Sequence, residues 1–203
     1  MKHIICILCT IFIVQCTVTQ AQKKAPVQFA VMQDDDQKDV FVLNVPPGAT
    51  INTANNYALF EKGKSSLTID YALDDDPGLT VRRTVTGNDI DLLKYSKEIP
   101  ATALAGTSDI TISNKTVAAA VKTLNGFQTV KITYDYSHVI SGANVTETGK
   151  VVMYIIKVSG TSLINTDDHP FIVRLKFDYQ QKEGDDLSKL DAQIMGTIKK
   201  GTE

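Results

Sequence analysis

Beyond position 16 the chain contains no cysteine; Cys6, Cys9 and Cys16 are the full complement. All three lie in a segment with the marks of a secretory signal peptide: Lys2, an apolar run from Ile4 to Val14, and the pattern Thr19-Gln20-Ala21. Cleavage after Ala21, giving a signal peptide of residues 1–21, would leave a chain that starts at Gln22 and carries no thiol. Disulfides, thiolate nucleophiles and cysteine metal sites are then excluded. Lipidation at Cys16 is disfavoured, because the bulky Gln15 stands where such sites need a small residue. Long hydrophobic runs are also missing. The stretch Ile4 to Val14 falls well short of the ~20 residues a bilayer-spanning helix requires, so no membrane anchor is expected after cleavage. The expected compartment is periplasmic or extracellular.

Histidine is scarce as well. Only His138 and His169 lie outside the signal segment, both in stretches that read as polar loops. No G-x-S-x-G elbow, H-E-x-x-H spacing or phosphate-binding glycine pattern occurs. The expectation is a protein without catalytic residues or a cofactor. A formal net charge of −2 implies no polyanionic partner, so nucleic acid is not expected to bind.

The most informative stretch present is Val117 to Tyr136. Asn125-Gly126 favours a two-residue hairpin turn, since both central residues must take positive φ. That turn sets Thr123 opposite Gln128, Val121 opposite Val130, Ala119 opposite Ile132 and Val117 opposite Tyr134. The apolar residues then share one face, and small side chains opposite large ones leave a trough in which a helix could lie. A second reading stays open: three alanines also suit a helix over Thr116–Leu124, ended by Gly126.

Before this stretch, residues 22–38 read as a mobile polar leader with one strand at Val27 to Met32, and a single domain is expected over 39–200. Strands are expected at Val40 to Val45, Tyr57 to Glu61, Ser66 to Leu73 and Leu79 to Val85. A helix capped by Asn88 is expected over Asp89 to Glu98, and a loop over Ala101 to Ser108. After it, Lys150 to Val158 is apolar on both faces and reads as an interior strand with helices above and below. Phe171 to Tyr179 alternates as a half-exposed strand. A closing amphipathic helix is expected from the Asp185-Asp186 cap to Lys199-Lys200-Gly201, with Leu187, Leu190, Ile194 and Ile198 as its apolar stripe.

This order of pieces, with F-V-L-N-V-P-P-G, L-N-G-F-Q-T-V-K-I-T-Y-D-Y, V-V-M-Y-I-I-K-V and the closing helix, resembles the PsbP-like family over Asp39 to Lys200. That family includes an extrinsic photosystem subunit, bacterial DcrB-like envelope proteins and a nuclear Ran-binding relative. The resemblance implies an α+β fold, a twisted antiparallel sheet packed between helices as an α/β/α sandwich, and a non-catalytic accessory or binding role. It supplies no site residue.

Four acidic clusters remain: Asp34-Asp35-Asp36, Asp74-Asp75-Asp76, Asp167-Asp168 and Asp185-Asp186. Carboxylates could hold calcium, but none has the spaced EF-hand pattern, and turns, caps and the leader call for aspartate anyway. Asp74, Asp75 and Asp76, held between two strands, are the best metal candidates. Asn114-Lys115-Thr116 and Asn144-Val145-Thr146 match the glycosylation pattern. The expected function is therefore an exported non-catalytic accessory or binding protein, its partner a protein or a small apolar ligand. The alternatives are a calcium-dependent extracellular enzyme and a carrier for lipid or a small apolar ligand between sheet and helix.

Overall fold

The computed structural model describes residues 25–33, 38–87, 89–140, 142, 145–159, 170–182 and 186–201. A hairpin of β1 (Val27–Gln33) and β2 (Lys38–Val45) comes first. A meander follows, of β3 (Thr50–Asn52), β4 (Tyr57–Lys62) and β5 (Ser65–Asp74). Next come α1 (Pro77–Thr80), the small pair β6 (Val85–Thr86) and β7 (Asp89–Ile90), α2 (Leu92–Glu98) and α3 (Ala101–Ala105). The remaining elements are β8 (Ile110–Val117), β9 (Lys122–Leu124), β10 (Phe127–Ile140), β11 (Val145–Val158), β12 (Phe171–Gln180), α4 (Leu190–Met195) and β13 (Lys199–Lys200).

The main sheet runs β3-β4-β5-β12-β11-β10-β8, with β9 also on β10, and every pairing is antiparallel. Its two faces are buried by different means. On one, Phe171, Val173, Leu175 and Phe177 of β12 and Val152, Tyr154 and Ile156 of β11 pack with Phe29 and Val31 of β1 and Phe41 and Leu43 of β2. That cover is a second sheet, β1-β2-β13, with α4 beside it. On the other face, Ile132, Tyr134, Val151, Met153 and Ile155 lie under Leu92, Tyr95, Ile99 and Leu104 of α2, α3 and the turn joining them.

The expected α/β/α sandwich is therefore wrong. Lys150 to Val158 is interior, as its doubly apolar sequence requires, but a three-stranded sheet covers one side of it. The alternation of β1 and β2 supplies that sheet, and an apolar sheet face buries its partner as fully as a helix would. The four helices among the described residues are all short. The strand expected at Val27 to Met32 forms as β1; it pairs with β2, and Phe29 and Val31 are buried in the core. The signal segment and Asp34 to Asp36 lie outside the described residues.

Other expectations shift for local reasons. Leu79 to Val85 is not a strand: Pro77 opens α1, the Asp76 carboxylate accepts from the Leu79 N–H at 3.0 Å, and Leu79 projects into solvent. The Asp89 to Glu98 helix starts later, at Leu92, capped by Asp91 rather than by Asn88, which is outside the described residues. Ala101 to Ser108, read as loop, contains α3, closed by Gly106 at φ 78°. The sheet hairpin of β10 and β11 runs on through the expected polar loop, so that His138 pairs with Glu147 inside it. Gly149 in β11 leaves room for the Tyr136 ring, which a Cβ there would meet at 2.6 Å.

The Asn125-Gly126 turn forms as expected, with φ of 47° and 92°. It sets Leu124↔Phe127, Thr123↔Gln128 and Lys122↔Thr129. The helical alternative for Thr116–Leu124 is excluded. Farther along, the register changes: Val117 faces Ile132, not Tyr134, because the chain between Val117 and Lys122 loops out with two more residues than its partner. An even offset keeps Val117 on its expected face.

The closing helix is shorter than expected. It spans only Leu190–Met195; Lys189 ahead of it takes φ 68°, and Lys199–Lys200 pairs with β2 as β13. Its apolar stripe is nevertheless buried, with Leu187, Ile194 and Ile198 in the core and Leu190 half-buried. Burial decides the stripe, and a turn, a short helix and a strand satisfy it together. Truncating Ile194, 3% exposed, to Ala should cost about 2–5 kcal/mol in chemical denaturation. A loss under about 0.5 kcal/mol would mean that α4 is not part of the core.

Candidate functional site

A helix of six residues cannot persist by its own hydrogen bonds. α4 is held by one buried side chain. Asp191 Oδ2 accepts from Lys131 Nζ at 2.7 Å and from Tyr154 OH at 2.8 Å, and Oδ1 accepts from Tyr179 OH at 2.9 Å. The Asp191 N–H in turn donates to Tyr179 OH at 2.9 Å. These partners come from β10, β11 and β12, neighbouring strands of the main sheet, so one carboxylate ties α4 across all three. Lys131 also lies 5.5 Å from the Tyr154 ring centroid.

Burial pushes the Asp191 carboxyl upward, but the hydrogen bonds from Lys131 and Tyr154, the Lys131 charge and the bond from Tyr179 outweigh it and hold the group below its ordinary value. Burial, reinforced by Asp191, raises both tyrosines well above their usual range. The arrangement is thus an ionised carboxylate among committed donors.

The far end of α4 is clamped by the hairpin turn: the Asn125 side-chain amide donates to Gly196 O at 3.1 Å and Ile198 O at 3.0 Å. With both ends fixed, two hollows remain beside the helix. The larger, about 740 Å³, is walled by Lys131, Thr133, Asp135, Val152, Tyr179 and Ala192, among others. The smaller, about 330 Å³, is lined by Ala118, Ala120, Leu124, Tyr154 and Met195, and shares Lys131 and Ala192 with the first. The small-residue trough expected from the sequence was on the other face, that of Val130, Ile132 and Tyr134, which α2 and α3 cover instead; the hollows beside α4 are lined by the side expected to be polar, Lys122, Thr129, Lys131 and Thr133, with the looped-out Ala118 and Ala120 in the wall.

On the opposite face a third hollow, about 230 Å³, includes Tyr134, Tyr136, His138, Glu147, Lys176 and Asp178 in its lining. Lys176 Nζ sits 3.5 Å from Asp70 and 3.7 Å from Asp178. Burial raises both carboxyls despite that cation. Burial and then Asp178 push the Tyr136 hydroxyl up to about 12.

The candidates named from sequence do not converge. Asp74 accepts from Tyr95 OH at 2.6 Å, Asp76 caps α1, and Asp75 lies in the bend between them. Among the described residues no three His, Cys, Asp or Glu form a group suited to a metal. His138 binds Asp109 at 2.8 Å on a partly exposed strand, not in a loop. Asp186 accepts from the Ser188 N–H at 2.8 Å. His169, Asp167-Asp168, Asp185 and Asn144 fall outside the described residues. No helix among the described residues is long and apolar enough to cross a membrane. Sequence reasoning missed Asp191, Lys131, Tyr154 and Tyr179. The available signal was an acid set between Leu190 and Ile194 of the apolar stripe, matched by tyrosines on inward faces of two strands.

Asp191→Asn should lower stability by about 1–3 kcal/mol at pH 7. The Asp191 carboxyl titrates lower folded than unfolded, so its contribution is present above the ordinary value of 3.8 and is lost as pH falls through the depressed folded value. Denaturation of both proteins should show the gap between them shrinking below pH 3.8. A gap that stays constant into acid would contradict the anchor.

No protein-family model matches the chain, and no curated protein matches it in sequence. The PsbP-like resemblance thus has no family-level support. Among solved structures the chain is similar to LpqN, described as involved in cell envelope biogenesis of Mycobacterium tuberculosis. The identity is 14%, over 90% of this chain and 88% of that one, with a TM-score of 0.43. At that score the likeness assigns neither family nor function.

Proposed function

We propose that the chain is an exported, non-catalytic binding protein whose site is the trough beside α4, and that its ligand is a small molecule with an apolar body. One observation carries this reading: two hollows of about 740 and 330 Å³ flank a helix whose own polar anchor is already satisfied. Volumes of this order suit small ligands. A non-catalytic role is supported by the state of the polar groups. Both oxygens of the Asp191 carboxylate accept hydrogen bonds within the fold, and His138 is bound to Asp109 on the other face of the sheet. Export rests on Lys2, Ile4 to Val14 and Thr19-Gln20-Ala21. Against the calcium-enzyme alternative, Asp74 already accepts a hydrogen bond from Tyr95 OH.

Ala192 is exposed on α4 and lies in the wall of both hollows, so a bulky side chain there obstructs them without entering the core. Titration with the neutral fluorescent probe N-phenyl-1-naphthylamine should give saturable binding to the parent protein. Ala192→Trp should weaken that binding by about tenfold or more, equivalent to at least ~1.4 kcal/mol, with the melting temperature little changed. Unaltered binding in the variant, or none in the parent, would overturn the trough as a site.

A further inference from the structure

The charge around the trough runs against that of the chain. Overall there are 23 acidic against 21 basic side chains. The two hollows beside α4 are lined by four lysines, Lys122, Lys131, Lys150 and Lys189, against two aspartates, Asp135 and Asp191. Both carboxylates are occupied: Asp191 by Lys131 and two tyrosines, Asp135 by the Asn114 amide at 2.8 Å. Lys150 is exposed, and Lys131 keeps 40% of its side chain exposed despite its ion pair.

The polar and apolar parts are also partly separated. Lys150, Lys189, Ser188 and Thr133 line the larger hollow along with Val152 and Tyr179, whereas Ala118, Ala120, Leu124 and Met195 line the smaller, with Lys122 and Thr129 at its side. Lys131 stands at the border of both. A ligand with a charged end and a hydrocarbon end would therefore find each part matched, its charge beside Lys131 and its chain past Ala192.

Resting on the trough reading above, we infer that the ligand is a free, single-chain anionic amphiphile, with a carboxylate or phosphate head in the larger hollow and its chain in the smaller. Opposite charge lining a groove raises affinity and local concentration of the ligand together. An ammonium head would face the same lysines and be repelled.

The test is displacement of N-phenyl-1-naphthylamine from the full chain by dodecanoate, dodecyl maltoside and dodecyltrimethylammonium, each below its micelle-forming concentration. Dodecanoate should displace the probe at about tenfold lower concentration than the cationic amphiphile. Reversing the two exposed charges together, Lys150→Glu with Lys189→Glu, should shrink that gap below about threefold, the gap being the ratio of displacing concentrations within one protein so that any change in probe affinity cancels. Neither lysine is buried, so the double variant keeps its fold.

If all three heads displace equally, or the cation displaces best, while probe binding still depends on Ala192, the anionic preference is wrong and the trough reading stands. If the parent does not bind the probe at all, the trough reading itself falls and this inference with it. In a parallel arm, co-sedimentation with phosphatidylglycerol vesicles but no displacement by dodecanoate would place the anion in a membrane surface and overturn a free ligand.

Discussion

The structure depends on one buried carboxylate. Asp191 has 5% of its side chain exposed, and an ion there is costly unless both oxygens are paired and hydrogen-bonded. Lys131, Tyr154 and Tyr179 supply those bonds, and in doing so they determine where α4 lies against the sheet. The tyrosines contribute twice: their rings belong to the apolar core face, and their hydroxyls reach past it to the helix. The other restraints are the buried apolar contacts of Leu187, Ile194, Met195 and Ile198 and a set of polar contacts to the backbone. Asn125 holds the carbonyls at the C-terminal end of α4, the Thr197 hydroxyl accepts from the Asn44 N–H at 2.8 Å, and β13 pairs with β2. Pinned from several directions, the helix does not settle over the small residues beside it. The hollows follow from that geometry.

The two faces of the main sheet then take different roles. The α2 and α3 face is closed by close packing around Tyr95, whose hydroxyl ends on Asp74. Charge on that face is paired locally, as in Asp70, Lys176 and Asp178. The α4 face closes over β1 and β2 through phenylalanine and aliphatic contacts, then opens beside α4 where lysines replace them. The filled core takes up most of that face, and the lysine-lined hollows lie at one end of it.

How much of this could be read from the residues differs by level. Period-two alternation in Ser66 to Leu73 and Phe171 to Tyr179, and the Asn125-Gly126 turn, identify strands correctly because burial and local chemistry agree there. Leu79 to Val85 misled because its alternation was incidental to a proline-started, aspartate-capped turn. Leu187 to Ile198 misled differently: the buried positions were right, but a 3.6-residue spacing does not require one continuous helix. The second sheet was hidden because a doubly apolar strand such as β11 does not say whether helix or strand will cover it. The anchor was least legible of all, since Asp191 meets partners 12, 37 and 60 residues away, and only tertiary structure brings them together.

The central claim is that Asp191 and its donors act as one unit. Double-mutant cycles of Asp191→Asn with Tyr179→Phe, and of Asp191→Asn with Tyr154→Phe, measured by chemical denaturation, address it directly. A coupling of about 0.5–3 kcal/mol is expected in each cycle. Single and double variants whose losses add to within about 0.3–0.5 kcal/mol in both cycles would contradict it.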